Sequence, residues 1–198
     1  MVGKCILQLI LVCLLSVGGC GPQAPQYVDP LADLSGARGD NVPTDVPVKA
    51  GASVALTLGS NVERFLKYHD DGRVYAASVG ASKDLLEQGN PQYLVDGGVA
   101  ILKRRYPKIK SFDDLASAAR ERVATTFVLD IRTKAGMYPG DETTVDLTII
   151  AFDAHQKPIS KITARGATQI KPYAAPRIRD AHDQALAELT KKADRLLH

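Results

Sequence analysis

Apolar residues open the chain as one nearly unbroken run, Cys5 to Val17, interrupted only by Gln8 and Ser16. From residue 21 to about 50 the pattern is lost: Pro22, Pro25, Pro30, Pro43 and Pro47 lie among Gly, Ala, Asp and Gln. Prolines remove donors and stiffen the backbone locally, so this stretch reads as a flexible tether. Period-2 alternation begins at Ser53–Leu58 and predicts a strand. Residues 60–72 leave two readings open. Ser60 to Glu63 fits a capping box opening a helix through Tyr68. Arg64–Tyr68 and Arg73–Ser78 also fit a hairpin turning at Asp71-Gly72. Both readings place a strand at Val74–Val79. Asn90-Pro91 then opens a helix carrying Val95, Val99, Leu102 and Tyr106 at helical spacing, which Pro107 stops. Gly97-Gly98 weakens it by about 1 kcal/mol per glycine and suits close approach of another backbone. Ser111 to Asp114 caps a second helix reaching about Glu121.

Three alternating strands follow. In Thr126–Lys134, Phe127, Leu129 and Ile131 share one face, and Val128, Asp130 and Arg132 the other. In Thr143–Phe152, Val145, Leu147, Ile149 and Ala151 alternate with Thr144, Asp146 and Thr148. Asp153–Pro158 is a polar turn, and Ile159–Ile170 returns with Ile162 and Ala164 on one face. Ile178, Ala181, Ala185, Leu189 and Leu196 then stripe a final helix. Its acids, Asp180 and Asp183, precede Lys191, Lys192 and Arg195, as the helix dipole favours. The expected fold is α+β: an antiparallel sheet of about four to five strands with helices packed on its dry face. The organisation is a leader over residues 1–19, a tether over 20–50 and a single domain over 51–198.

The N-terminal pattern carries chemistry as well. One positive charge at Lys4, an apolar stretch short for a bilayer span, and small residues before Cys20 are the marks of an export signal. Val17, Gly18, Gly19 and Cys20 resemble the lipobox of bacterial lipoproteins. The resemblance implies cleavage before Cys20, a diacylglycerol on its sulfur and an acylated amine, as with palmitate. Several acyl chains make anchoring stable where one is marginal. In that family an Asp after the modified cysteine retains the protein at the inner membrane. Gly21 stands here, so the resemblance implies the outer membrane, with the domain facing the periplasm. A coil of thirty residues reaches about 30 Å r.m.s. and about 100 Å pulled straight, so the domain would search a volume beside the membrane. The competing reading packs part of the tether, Tyr27 to Leu34, along the domain.

Composition narrows the function. The 198 residues carry a net charge of +3. Loss of residues 1–19 removes Lys4 and no acid, leaving +2, too mild for a nucleic-acid protein. A domain of roughly 140–150 residues buries about two-thirds of its unfolded surface, enough for a core. Cys5 and Cys13 lie in the leader, so only a lipidated Cys20 remains. No intramolecular disulfide, thiol chemistry or cysteine-based metal site is then expected.

Candidate catalytic residues are few. His69-Asp70-Asp71-Gly72 pairs a His with carboxylates but matches no ligand spacing, and reads as an exposed turn. His155 and His182 lack a second His at helical spacing, and His198 is terminal. No Gly-x-Ser-x-Gly elbow exists. Gly80-Ala81-Ser82-Lys83 lacks the Ser-x-x-Lys spacing, and Ser82 reads as a cap. Asp130, Asp146 and Asp153 read as wet-face residues near Arg132, Lys161 and Arg165. The last helix reads as a core cover rather than a partner-binding element. No catalytic residue, cofactor or metal is expected.

The stretch from Asp113 to Arg132, an alanine-rich helix running through a short turn into a strand, resembles the TolB N-terminal-like domain found also in CsgG and LpoB lipoproteins. Val145–Ile150, Pro158 and Ile159–Ile170 supply the hairpin that follows there. The resemblance spans roughly residues 90–197 and implies an envelope adaptor, a secretion component or an activator of wall synthases. It transfers no functional residue beyond Cys20. The leading expectation is therefore a non-enzymatic envelope protein that binds a protein or peptidoglycan partner. The alternatives are an enzyme or carrier for a lipid or glycan, and a subunit of an export assembly.

Overall fold

The three alternating runs at the C-terminal half build the centre of a five-stranded sheet. The computed structural model describes residues 24–35, 42–78, 90–134, 140–169 and 178–198. Strand β3 (Thr125–Lys134) pairs antiparallel with β4 (Glu142–Asp153) from Thr125↔Asp153 to Lys134↔Thr144. Strand β4 pairs in turn with β5 (Pro158–Gln169), from Glu142↔Gln169 to Phe152↔Pro158. Asp153 shapes the β4–β5 turn, its Oδ1 accepting from the backbone N–H groups of His155 and Lys157 at 2.9 Å each. Such local acceptance is the reason Asp favours turns.

Strand β1 (Val54–Leu58) lies beside β3, and β2 (Lys110–Ser111) beside β1, giving the order β2-β1-β3-β4-β5. Both of these pairings are parallel. The α+β class and the five strands match expectation, and the sheet is mixed rather than wholly antiparallel. A parallel pair needs a crossover, and helices supply it.

The first crossover element is α2 (Ser60–Ser78), which runs unbroken through Asp71-Gly72. The helix reading of residues 60–72 therefore holds. The strand expected at Val74–Val79 does not: residues 74–78 are helical, Val74 is 74% exposed, and Val79 lies outside the described residues. Gly72 costs such a helix only about 1 kcal/mol, while Glu63 sits in its first turn and Lys67 bonds Asp71 one turn on.

Helix α3 (Gln92–Arg105) follows, with Asn90 Oδ1 accepting from Gln92 N–H at 2.9 Å. Helix α4 (Leu115–Arg120) is capped by Asp114, which accepts from Ser117 N–H at 2.6 Å. Ser111, expected in that cap, is a β2 residue instead. At its end, Arg122 N–H bonds Ala119 O and Val123 N–H bonds Ala118 O, with Arg122 at φ 53°. That is a Schellman turn. Helix α5 (Ile178–Leu196) buries Ala181, Ala185, Leu189 and Leu196 of the expected stripe, with Ala193 beside them, and leaves Ile178 half-buried.

Helices α3 and α5 cover one sheet face. Leu94, Leu102, Ala185 and Leu189 pack there with Phe127, Leu129, Ile131, Leu147, Ile149 and Ile162. Fully burying each large aliphatic side chain is worth about 1.5–3 kcal/mol. Gly98 meets the Leu129 side chain and Gly97 the Leu186 side chain, so the glycine pair admits side chains and not another backbone. The close backbone approach is at Gly166 of β5, against Ala181 and Ala185 of α5.

The second face is covered too. Leu31 of α1 (Pro30–Ser35) and Val42 join Leu115, Val128, Ile150 and Phe152 in a second core. Residues 42–50 run along the β5 edge and the C-terminus. Asp45 N–H bonds Lys161 O, Lys161 N–H bonds Pro43 O, and Val48 N–H bonds Leu196 O at 2.7–2.9 Å. The Lys192 ammonium donates to Asp45 at 2.8 Å and to Thr163 O at 2.7 Å, fastening the segment to α5 and β5. The flexible tether expected over 20–50 is thus corrected for residues 27–31 and 42–50, which form a packed strap.

Candidate functional site

Two places gather polar chemistry, at opposite ends of β1. The first lies just past the C-terminal end of β1, beside the middle of β3. Alternation puts Asp130 on the face opposite Leu129, and the strap closes over it, leaving it 1% exposed. Asn61, at the start of α2, donates its amide to Asp130 Oδ2 at 2.9 Å and to Val28 O at 2.7 Å. Its oxygen accepts from Val28 N–H at 3.0 Å. One side chain therefore ties the strap to the buried acid.

Asp130 Oδ1 has no partner among the described residues and faces Gly59, where a Cβ would collide with it. Burial pushes the Asp130 carboxyl up to about 6, against the pull of the Asn61 bond. Burial and the Asp130 charge push the Tyr27 phenol up to about 12. The Arg132 guanidinium lies 4.8 Å from the centre of the Tyr27 ring. Next along the sheet, Arg165 grips Asp146 through two bonds of 2.6 and 2.9 Å, which raises the Arg165 pKa. Bidentate pairs of this kind fix geometry.

The second place is a cleft of about 520 Å³ at the N-terminal ends of β1, β2 and β3. Gly51 to Val54, Arg105 to Lys110, Glu121 and Val123 line it. Three loops converge there because β1, β2 and β3 run parallel and their preceding turns share one end. Tyr106 is fixed by stacking on Phe127, centroids 5.3 Å apart, and by its hydroxyl donating to His198 O at 3.3 Å. Arg105 lies exposed, 3.5 Å from the His198 ring nitrogen.

Sequence expectation and structure meet unevenly. Val17, Gly18, Gly19 and Cys20 lie outside the described residues, as do Ser82 and Lys83. Asp146 sits opposite Arg132 and bonds Arg165, two of the cations expected near it. Asp130, Asp146 and Thr148 are expected on an open wet face and are instead buried, Asp130 beneath the strap. His69 lies half-buried on α2 rather than in an exposed turn. His155 is exposed in its turn. His182 is buried on α5, and burial with nearby Arg179 pulls its pKa down to about 4. Among the described residues no group of three His, Cys, Asp or Glu is placed to hold a metal. The cleft was missed. Its only trace in sequence is the run Lys103-Arg-Arg-Tyr-Pro-Lys-Ile-Lys110.

No protein-family model and no curated protein matches the chain. Among solved structures it is similar to a PelC dodecamer from Paraburkholderia phytofirmans. The identity is 15%, over 73% of this chain and 89% of that one, with a TM-score of 0.36. It is also similar to the hypothetical protein CT253 from Chlamydia trachomatis, at 11% identity over 74% of this chain and 98% of that one, TM-score 0.39. Likeness of this degree leaves the function of the chain open.

Proposed function

We propose that this chain is a lipid-anchored envelope protein, held at the outer membrane facing the periplasm through Cys20. Its role is that of a non-enzymatic adaptor or accessory factor for a protein or cell-wall partner. The observation that carries the anchor is the run Val17-Gly18-Gly19-Cys20 behind a single positive charge and an apolar stretch. The adaptor role is supported by the placement of Asp130. This one strongly perturbed acid of the polar cluster is sealed beneath the strap and out of a substrate's reach.

The test is metabolic labelling with an alkyne fatty acid in cells making the full chain or Cys20→Ser. The expected result is label and membrane fractionation for the full chain, and an unlabelled, longer precursor for the variant. Equal labelling of both, or none of either, would reject the anchor. A second reading, carriage or capture of a small ligand, is favoured by the cleft at the N-terminal ends of β1, β2 and β3.

A further inference from the structure

Five cations, Lys103, Arg104, Arg105, Lys108 and Lys110, fall within eight residues at the end of α3 and the entry to β2. Arg104 is engaged by Asp194 at 3.5 Å and points to α5. Arg105, Lys108 and Lys110 line the cleft instead, and all three are exposed. Among the described residues neither Lys108 nor Lys110 has an ion-pair partner. Glu121 is the one acid in the lining.

A lysine on an edge strand commonly guards against pairing with another sheet. That accounts for Lys110 in the two-residue β2. It does not account for Arg105 and Lys108, which lie off the strand yet face the same space. Val54, Tyr106, Ile109 and Val123 give the lining apolar surface, and Ser53 and Glu121 add polar groups to it. Ser53 Oγ accepts from Ala124 N–H at 2.9 Å, so its hydroxyl proton remains to be donated.

We propose that this cleft binds an acidic saccharide, a hydroxylated ring bearing carboxylate or phosphate. Arg105, Lys108 and Lys110 meet its charge, the apolar surface takes a ring face, and Ser53 and Glu121 bond its hydroxyls. The volume of about 520 Å³ falls within the usual range for small-ligand sites. An acyl chain needs an enclosed apolar tube, and this cleft is open and rimmed by charge. A peptide strand added at the edge would find only two residues of β2 to pair with. The inference gives a ligand class to the binding role proposed above and does not depend on the lipid anchor.

The test is calorimetric titration of the full chain, purified in detergent, with a galacturonic acid trisaccharide and its neutral galactose counterpart. The acidic sugar is expected to bind, more weakly as salt is added, and the neutral sugar much less. Lys108→Ala with Lys110→Ala should weaken the acidic sugar by about tenfold or more, through loss of charge-assisted bonds. Lys157→Ala with Lys191→Ala removes equal charge from exposed sites elsewhere and should change it less than about twofold. Both pairs are exposed, so folding, checked by circular dichroism, stays intact. Equal affinity for the two sugars, or equal loss in the two double variants, would overturn the proposal. So would binding of phosphatidylglycerol vesicles by the Cys20→Ser chain, lost in the Lys108/Lys110 pair, with no sugar bound. Failure of fatty-acid labelling leaves this titration untouched, so the two readings fail separately.

Discussion

Replacing Asp130 by Asn removes a charge that the fold holds unfavourably, and the consequence is read in the pH profile of stability. The buried carboxyl titrates near 6 instead of 3.8. Between about pH 4 and 6 the native state keeps a proton that the unfolded chain has released, so stability falls as pH rises through that window. A displacement of that size corresponds to about 3 kcal/mol. His182 works the other way. Its buried ring titrates near 4 instead of 6.5, so the unfolded chain gains a proton first, and stability falls as pH drops from about 6.5 to 4. That contribution is also about 3 kcal/mol. The two slopes oppose each other, and the wild-type profile should be shallow, within about 1 kcal/mol over the window. Tyr27, Arg165 and Lys192 titrate above it. In Asp130→Asn the side chain keeps its shape, and its oxygen still accepts from Asn61. The new amide hydrogens lack an acceptor at the Oδ1 position, so the gain at pH 7 is trimmed to about 1 kcal/mol. The acid limb set by His182 then stands alone. Urea unfolding followed by circular dichroism at pH 7.0, 5.5 and 4.5 reads both features. A variant whose profile stays as shallow as wild type refutes the assignment of opposed buried charges.

Two further substitutions probe the packing that positions these sites. Gly166→Ala sets a methyl into the carbonyl oxygen of Ala181, 2.7 Å from its carbonyl carbon and 2.8 Å from Ala185 N. The obstacle is helix backbone, so α5 must shift as a unit. The expected loss is about 3 kcal/mol or more by urea unfolding, and a loss under about 1 kcal/mol would contradict the close approach. Arg122→Gly relieves a left-handed residue at the end of α4, worth about 1–2 kcal/mol. Part of that is offset by glycine's unfolded-state entropy. The urea midpoint should rise by the equivalent of about 0.5 kcal/mol, while Arg122→Val should lower it.

The elements legible in sequence are those whose pattern is local. Period 2 in residues 126–170 located β3, β4 and β5 and assigned Phe127, Leu129, Leu147 and Ile162 to the core, because one buried face imposes alternation on every strand in it. The stripe of α5 was equally plain. What misled was information held at a distance. Val74 and its neighbours suit a strand, yet a helix there supplies the crossover that parallel β1 and β3 need, and Val74 turns outward. Leu31, Val42 and Val48 are isolated among prolines, with no period to mark them. They are buried because the sheet offers Val128, Ile150 and the α5 terminus to receive them. Asp130 looked solvated for the same reason: alternation names a face and is silent on what lies over it. The cleft arises from three loops separated by up to about seventy residues, and no spacing rule brings those together.

The strap also alters what a lipid anchor at Cys20 would do. Val28 is fastened to the domain, bonded both ways to Asn61. Seven residues separate it from Cys20, so the eight steps span at most about 28 Å when fully extended. The unpacked tether read from sequence would have allowed about 100 Å. An anchored domain would therefore be held close to the bilayer, by the side of the sheet where β1 finishes. The cleft opens at the other end, where β1 begins. From Thr125 to Asp130 along β3 is about 17 Å, and the loops that line the cleft extend beyond that. An acylated chain would thus present Arg105, Lys108 and Lys110 away from the headgroups, toward whatever lies beyond the membrane surface. A fluorophore placed at Arg132 should be quenched by spin-labelled headgroups in reconstituted vesicles, and one at Lys108 should not. Equal quenching at the two positions would show that the domain lies on its side, and the cleft would then meet lipid before it met any glycan.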